Sequence, residues 1–152
     1  MAQALGLNVL AIDGNRNAPG MKYANKSIVI DIKQPNLVLK AIKDSKIKPS
    51  GAITLSSEVG MPAVGLLRDY FNLPCAGFEL TKKLTNKVIQ RQIWDQYMLP
   101  NPIWDLATSE NSANIIKDDR DFPLIVKPAD SAGSRGVSFV NNKEEFQVAI
   151  HD

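Results

Sequence analysis

The fold is decided by the stretch Phe122-Pro-Leu-Ile-Val-Lys127-Pro-Ala-Asp-Ser-Ala-Gly133-Ser-Arg-Gly136-Val-Ser-Phe-Val140. It sets a lysine at the end of one apolar run and a turn rich in glycine and serine before a second run of strand-forming residues. Small residues let a turn aim backbone N–H groups at an anion, and Lys127 adds a mobile positive charge beside it. The stretch therefore predicts a strand, a phosphate-binding turn and a second strand.

The order of these parts argues against two common nucleotide-binding motifs. A P-loop needs its lysine directly after the last glycine and then a helix, whereas Gly136 is followed by the strand-like run Val137-Ser-Phe-Val140. The dinucleotide fingerprint fails as well, because the G-x-G-x-x-G spacing is absent and no helix follows the turn. Taken alone, the turn is explained equally well as a flexible hairpin loop.

Composition and charge narrow the classes of function. The 152 residues are 44% hydrophobic, without an apolar run near the roughly 20 residues that cross a membrane, so no membrane partner is expected. The 18 basic and 16 acidic residues are too balanced to indicate a nucleic-acid partner. The single Cys75 and the single His151 exclude an internal disulfide and histidine-based triads. We expect a cytoplasmic protein whose chemistry rests on lysine, arginine, carboxylates, hydroxyls, backbone groups and bound metal.

The first half of the chain alternates strands with helices. Strands are predicted at 7–12, 27–31 and 51–55, and helices at 35–46 and 62–71. This order predicts an α/β fold with a parallel, doubly wound sheet.

Ligands of such sheets bind beyond the carboxyl ends of the strands. Asp13 and the run Ser56-Ser57-Glu58 are predicted there. For Asp13 we favour a simple Asp-Gly turn. Glu58 is an equally good candidate for a substrate contact and for the cap of the next helix.

The second half is predicted to be α+β, with antiparallel pairing across the glycine-rich turn. Its predicted elements are a helix at 81–98 with a break near Thr85, a strand at 103–106, a helix at 111–117, the two strands around the turn, and a helix at 144–150. We place the domain boundary between residues 78 and 79.

Two side-chain patterns accompany these elements. Alternation along the first strand puts Ile125 and Lys127 on one face, an apolar surface beside a cation that suits a purine next to its phosphates. On the preceding helix, Lys87, Arg91 and Asp95 form a polar stripe, for which a solvated face with an Arg91–Asp95 ion pair is the simplest explanation.

Several separated segments together resemble the first half of the ATP-grasp ligases. They are Thr85-Asn-Lys87, Gln90-Arg-Gln, Leu99-Pro-Asn-Pro102, Pro123-Leu-Ile-Val-Lys127-Pro and Ser131-Ala-Gly-Ser-Arg-Gly136-Val. The α/β unit before them resembles the pre-ATP-grasp domain of the same family, which includes biotin carboxylase, purine-pathway ribotide enzymes and the carbamoyl phosphate synthetase large subunit. The resemblance implies a parallel, Rossmann-like pre-ATP-grasp domain at 1–78 and a partial α+β ATP-grasp subdomain at 79–152.

The resemblance also implies that ATP is the cofactor and that its site surrounds the turn. Lys87 corresponds to the early lysine that reaches the nucleotide phosphates, and Lys127 to the strand lysine that contacts phosphate and the purine edge. The mobile loop that folds over the β- and γ-phosphates corresponds to Ser131, Ala132, Gly133, Ser134, Arg135, Gly136 and Val137. Two lysines would offset the triphosphate charge, and a closing loop would exclude water from a reactive acyl phosphate.

Family members use ATP and Mg²⁺ to phosphorylate a carboxylate, which an amine or another nucleophile then attacks. By this resemblance the substrate is a small carboxylate, with Glu58 as a candidate contact. The Mg²⁺ ligands would lie beyond Asp152 and the first β-α unit before the chain, so we expect a fragment with little activity alone. The acidic run Asp118-Asp119-Arg120-Asp121 is the one local metal candidate, and we expect it to be a solvated turn instead.

Two other classes of function stay open. The chain could be a non-catalytic nucleotide-binding or interaction module that keeps the fold without the metal-binding half. It could also be a Rossmann-type dinucleotide binder, although the fingerprint is missing. The oligomeric state and the nucleophile are not predicted.

Overall fold

The computed structural model describes residues 2–55 and 57–151, and the chain forms two compact units that divide between Lys82 and Lys83. The strands are β1 (Leu10–Asp13), β2 (Lys26–Val29), β3 (Leu124–Val126) and β4 (Ser138–Val140). The helices are α1 (Pro35–Asp44), α2 (Met61–Phe71), α3 (Phe78–Thr85), α4 (Lys87–Gln96), α5 (Glu110–Asp119) and α6 (Lys143–His151). The predicted domain boundary between residues 78 and 79 falls at the first residue of α3 and stays a prediction.

The helices follow the predicted periodicity closely. α1, α2, α5 and α6 begin and end within two residues of the predicted bounds. The predicted break in the helix at 81–98 is confirmed, since α3 ends at Thr85 and α4 begins at Lys87. None of the helices in the described ranges is long and apolar enough to cross a membrane.

The first unit has the predicted α/β organisation. β1 and β2 pair in parallel, with Leu10 opposite Lys26. α1 begins at Pro35, whose fixed φ suits the first turn of a helix. The core is built from one apolar face of each helix and the strands, with Val38, Ile42, Ala63 and Leu67 buried and Leu10, Ile12 and Ile30 packed against them.

Two helices of this unit meet at a glycine. A methyl group at Gly65 of α2 would overlap Thr81 Oγ1 and lie 2.8 Å from the carbonyl carbon and oxygen of Gly77. Thr81 is 0% exposed, and its hydroxyl contacts the carbonyls of Gly77 and Phe78 at 2.9 and 2.8 Å. Asp69 of α2 accepts a hydrogen bond from Phe78 N at 2.8 Å, which satisfies a free N–H at the start of α3. The lack of a side chain at Gly65 is what lets these groups fit.

The predicted third strand, 51–55, is wrong. At Ala52 a side chain takes the place of a neighbouring strand, because the carbonyl accepts hydrogen bonds from Arg68 Nε and Nη2 at 3.2 and 2.9 Å. A strand needs a neighbour with which to exchange N–H···O=C bonds, and none of the described residues pairs with this segment. Ile53 and Leu55 are accordingly exposed.

The second unit is α+β, with the predicted antiparallel pairing across the turn. Leu124 lies opposite Val140, and Val126 lies opposite Ser138. Leu124 and Val126 face inward, as strand alternation predicts. The core has Ala113, Val140 and Phe146 buried, with Ile116, Phe122, Leu124 and Val126 among the side chains packed against them.

The predicted strand at 103–106 is also wrong, because its side chains rather than its backbone hold it in place. Trp104 Nε1 donates a hydrogen bond to Asp95 Oδ2 at 2.8 Å. Asp105 pairs with Arg120 through two contacts of 2.6 and 3.1 Å. Among the described residues this segment has no ladder partner, so β propensity alone does not make it a strand.

Candidate functional site

The turn between β3 and β4 has a backbone suited to an anion. The φ angles of Gly133, Ser134 and Gly136 are positive, at 66°, 57° and 68°. Val137 N donates to Ser134 O at 3.3 Å, which closes a four-residue turn whose third residue, Gly136, needs a positive φ. Residues 133–137 are exposed. Tight turns of this kind can direct neighbouring N–H groups into a concave site for an anion.

Lys87 is tied to this turn by both its main chain and its side chain. It is the first residue of α4 because Asn86 Oδ1 accepts the N–H groups of the second and third helical residues, at 3.0 and 3.1 Å. Lys87 N donates to Ala129 O at 2.8 Å, and Nζ donates to Ser131 O at 2.5 Å. An ammonium group has three donors, so the contact with Ser131 leaves protons for an anion.

Three positive charges converge beside the turn. Lys127 follows β3 directly, and its pKa is lowered first by partial desolvation of the ammonium group and then by the charges of Arg91 and Lys87. Lys87 and Arg91 lie one turn apart on α4. Since like charges disfavour one another, a bound anion would stabilise all three.

Arg91 is held in this cluster by an amide. Its Nη1 donates to Asn101 Oδ1 at 2.6 Å, while Asn101 Nδ2 donates to Asp95 Oδ1 at 2.7 Å. The Arg91–Asp95 ion pair considered from the sequence does not form between these described residues, because Asn101 lies between the two charges. Hydrogen bonds from Asn101 and then Trp104 lower the pKa of Asp95.

The outer face of the hairpin is apolar and open to solvent. Ile125 and Phe139 are directly opposite in the ladder, so their side chains share one face, and they are 55% and 61% exposed. Alternation puts Lys127 on the same side, one step beyond Ile125. A flat heteroaromatic group could cover this face while its phosphates reach the cations. Ile125 is open to solvent as predicted, and its pairing with Lys127 stays a prediction because Lys127 lies beyond the last residue of β3.

The remaining candidates lie in the first unit. Glu58 is exposed at the start of a 3-10 turn, and neither that turn nor α2 has a side-chain capping hydrogen bond at its N-cap residue, so the capping interpretation is not supported and the substrate contact stays a prediction. Asp13 Oδ1 accepts Asn15 N at 2.8 Å, which confirms the turn interpretation. Ser56 lies outside the described residues. Ser57 makes no capping hydrogen bond with its side chain.

Within residues 2–55 and 57–151, no group of three or more His, Cys, Asp or Glu side chains could hold a metal ion. The acidic run at 118–121 is not the solvated turn that was predicted, because Asp118 and Asp119 are the last residues of α5, and Asp118 pairs with Lys143 at 2.7 Å. The three cations beside the turn have the charge that a polyphosphate would require.

No protein-family model matches this sequence. Among solved structures, the chain is similar to an L-amino acid ligase from Bacillus licheniformis, with a TM-score of 0.69 and 20% identity over 99% of this chain and 37% of that one. It is also similar to the biotin carboxylase domain of a Hydrogenobacter thermophilus 2-oxoglutarate carboxylase, solved with MgADP, ADP and bicarbonate, with a TM-score of 0.63 and 14% identity over 99% and 36%. The chain has the fold of the N-terminal part of the ATP-grasp ligases, as its motifs implied.

The sequence relatives agree with this class. The chain is 27% identical to the formate-dependent phosphoribosylglycinamide formyltransferase of Prochlorococcus marinus subsp. pastoris over 152 residues, which cover 99% of this chain. It spans 38% of that relative's length. The similarity to ATP-grasp ligases is therefore confirmed in both sequence and structure.

Two features of the site were missed from the sequence. Phe139 joins Ile125 on the open face, which follows from alternation only once the register of the hairpin is known. Asn101 separates Arg91 from Asp95, although it lies within the quoted segment Leu99-Pro-Asn-Pro102. No local pattern predicts that contact, because the loop folds back onto a helix ten residues earlier.

Proposed function

We propose that the second unit supplies the phosphate-binding part of an ATP site in an ATP-grasp ligase. Lys87 and Lys127 bind the phosphates, and the loop Ser131–Val137 closes over them. The purine lies on the face of Ile125 and Phe139. The observation that carries the proposal is the convergence of Lys87, Arg91 and Lys127 beside a turn with three positive φ angles.

The reaction proposed for the whole protein is the activation of a small carboxylate. The terminal phosphoryl group of ATP passes to a carboxylate oxygen, giving an acyl phosphate and ADP, and a nucleophile then displaces phosphate. The names of the relatives support this substrate class, since one is formate-dependent and another is an amino acid ligase. Glu58 is proposed as a substrate contact, because its exposed carboxylate could accept hydrogen bonds from an amine or hydroxyl group.

Mg²⁺ is proposed as the second cofactor, in line with the MgADP of the biotin carboxylase domain. Its charge would offset the charge that develops on the transferred phosphoryl group. Because the chain spans 38% of the formyltransferase relative, we propose that the Mg²⁺ ligands are residues outside these 152. A cytoplasmic location, expected from the lone cysteine, is part of the same proposal.

Tryptophan fluorescence tests the nucleotide assignment directly. Trp94 stacks under Arg91, with the guanidinium carbon 4.9 Å from the ring centroid, and Trp104 contacts Asp95. We expect ATP to change the fluorescence saturably, because an anion at the cations alters the field around both rings. NAD, which carries a less charged diphosphate, is expected to bind at least about tenfold more weakly, a difference of about 1.4 kcal/mol.

Salt provides the control for this titration. Raising the ionic strength should weaken ATP binding, because screening reduces the attraction between the cations and the phosphates. Tighter binding of NAD than of ATP would contradict the proposal and favour a dinucleotide site.

Gly136→Ala is expected to weaken ATP binding by about tenfold, or about 1.4 kcal/mol. Its φ of 68° is unfavourable for alanine, and the new methyl group would lie 2.8 Å from Pro128 Cγ and 3.2 Å from Cδ. The turn must shift to relieve this contact, which moves its N–H groups away from the phosphate. Isothermal titration with ATP measures the loss.

Gly133→Ala is the matched control, because Gly133 has nearly the same φ, 66°, while a methyl group there meets no atom within 4 Å. Both variants therefore share the free-energy cost of placing alanine at a positive φ. The difference between their ATP affinities isolates the contact with Pro128. Equal ATP affinities in the two variants would mean that the shape of the turn at Gly136 does not matter for binding.

A further inference from the structure

Arg91 forms no ion pair with any acidic side chain of residues 2–55 and 57–151. Its Nη1 hydrogen-bonds to the uncharged amide of Asn101 at 2.6 Å, and its guanidinium stacks on Trp94. The carboxylate one turn away, Asp95, is occupied by Asn101 Nδ2 at 2.7 Å and by Trp104 Nε1 at 2.8 Å. The positive charge therefore remains available to an anion.

Asn101 is suited to keeping the two charges apart. An amide has an acceptor at one end and donors at the other. Asn101 Oδ1 accepts a hydrogen bond from Arg91. Asn101 Nδ2 donates to the Asp95 carboxylate and, at 3.2 Å, to the Arg91 carbonyl. An aspartate at this position would instead place a negative charge on the guanidinium.

The same contacts limit the motion of the guanidinium. The Trp94 ring covers one face of the guanidinium, and the hydrogen bond to Asn101 uses Nη1. The other N–H groups of the planar guanidinium are not used in these two contacts. Arg91 lies one helical turn beyond Lys87, and Lys87 contacts the turn through Ala129 and Ser131. A preordered cation costs less entropy on binding than a free side chain.

We infer that Arg91 binds the phosphate chain of the nucleotide as a third cation, and that Asn101 positions it. This inference rests on the function proposed above. The ligand chemistry is a polyphosphate, whether it is free or carries a nucleoside. Asp95 holds the amide nitrogen of Asn101, and Trp104 in turn holds Asp95.

The test is an NMR titration of the 152-residue chain with ATP and, separately, with inorganic tripolyphosphate. Arg91→Met is expected to weaken both ligands by the same factor, about tenfold, because it removes one charged contact. Arg91→Lys should lose less, since it keeps the charge without the planar fork. Asn101→Asp should weaken both ligands although no ligand contact is removed, because the new carboxylate pairs with Arg91.

Lys143→Met is the charge-matched control. Lys143 pairs with Asp118 in an exposed ion pair and follows the end of β4 that is distant from the turn. A structural readout is included: in Arg91→Met the pKa of Lys127 should rise, because one of the charges that lowers it is gone. Amide spectra establish that each variant is folded.

The outcomes separate the two proposals. If Lys127→Met weakens ATP binding while Arg91→Met and Asn101→Asp bind as the unchanged chain does, the inference about Arg91 is overturned and the proposed function stands. If Lys127→Met also binds ATP normally, or the unchanged chain does not bind ATP, the proposed function fails and the inference fails with it. Should Arg91→Met not fold, Arg91→Lys and Asn101→Asp decide the question.

Discussion

Lys127→Met is expected to weaken ATP binding by a factor of about 10 to 100. Loss of a hydrogen bond to a charged group costs about 1.5–3 kcal/mol, and each 1.4 kcal/mol is a factor of ten in affinity. Lys127 has more influence than an ordinary surface lysine because it lies between an exposed apolar face and two other cations. Methionine keeps an unbranched apolar side chain of similar size and removes the ammonium group with its charge and donors. Isothermal titration calorimetry with ATP measures the change.

The pH dependence gives an independent check on the same residue. The pKa of Lys127 is lowered in the free chain, and a bound phosphate should raise it again. ATP affinity should therefore be greatest below the free-chain pKa and fall as pH rises from that pKa to the bound one. Lys127→Met should lose this component, whereas Lys143→Met should retain it. An unchanged affinity in Lys127→Met would remove Lys127 from the site.

Gly65→Ala is expected to destabilise the first unit by about 3 kcal/mol, near the upper end of what overpacking costs. The added methyl group would overlap Thr81 Oγ1 and crowd the Gly77 carbonyl, and a main-chain atom cannot turn away as a side-chain terminus can. Separation of α2 and α3 would also weaken the hydrogen bond from Phe78 N to Asp69. A change of this size lowers Tm by roughly 12–24 °C in a domain of about 60–100 residues.

Gly51→Ala is the comparison variant, because a methyl group at Gly51 meets no atom within 4 Å and φ is not in the left-handed region. It should change Tm by only a degree or two, or raise it slightly through the unfolded state. Because the chain has two units, hydrogen exchange of the α2 amides should accompany the melting curve. Slow exchange in α2 of Gly65→Ala, equal to that of Gly51→Ala, would show that the junction tolerates the methyl group.

The helices were predictable because their signals are local. Pro35 at the first turn of α1 and the apolar spacing of Val38 and Ile42 both act within a few residues. The hairpin was predictable for a related reason. Its strands flank a turn whose glycines adopt the positive φ that such turns need, so its two halves are neighbours in sequence and in space.

The two wrong strand predictions show what local sequence signals do not specify. The segments 51–55 and 103–106 have strand-like composition, but a strand also requires a partner backbone. Arg68 binds the Ala52 carbonyl in the first case, and Asp95 and Arg120 bind Trp104 and Asp105 in the second. Each of these side chains comes from a separate part of its unit, so the residues of the segment alone do not predict the contact.

The sequence by itself determined the class of fold and the hairpin that holds Lys127 and the glycine-rich turn. The lysine, the glycine-rich turn and the strand after it occur in an order that a single hairpin can satisfy. The tertiary structure decided which charged groups around the turn contact one another and which are kept apart. Asn101 reaches back over ten residues to separate Arg91 from Asp95, and Lys87 reaches forward to Ser131. Electrostatic interactions depend on distance through space and on what lies between the charges, and spacing along the chain specifies neither.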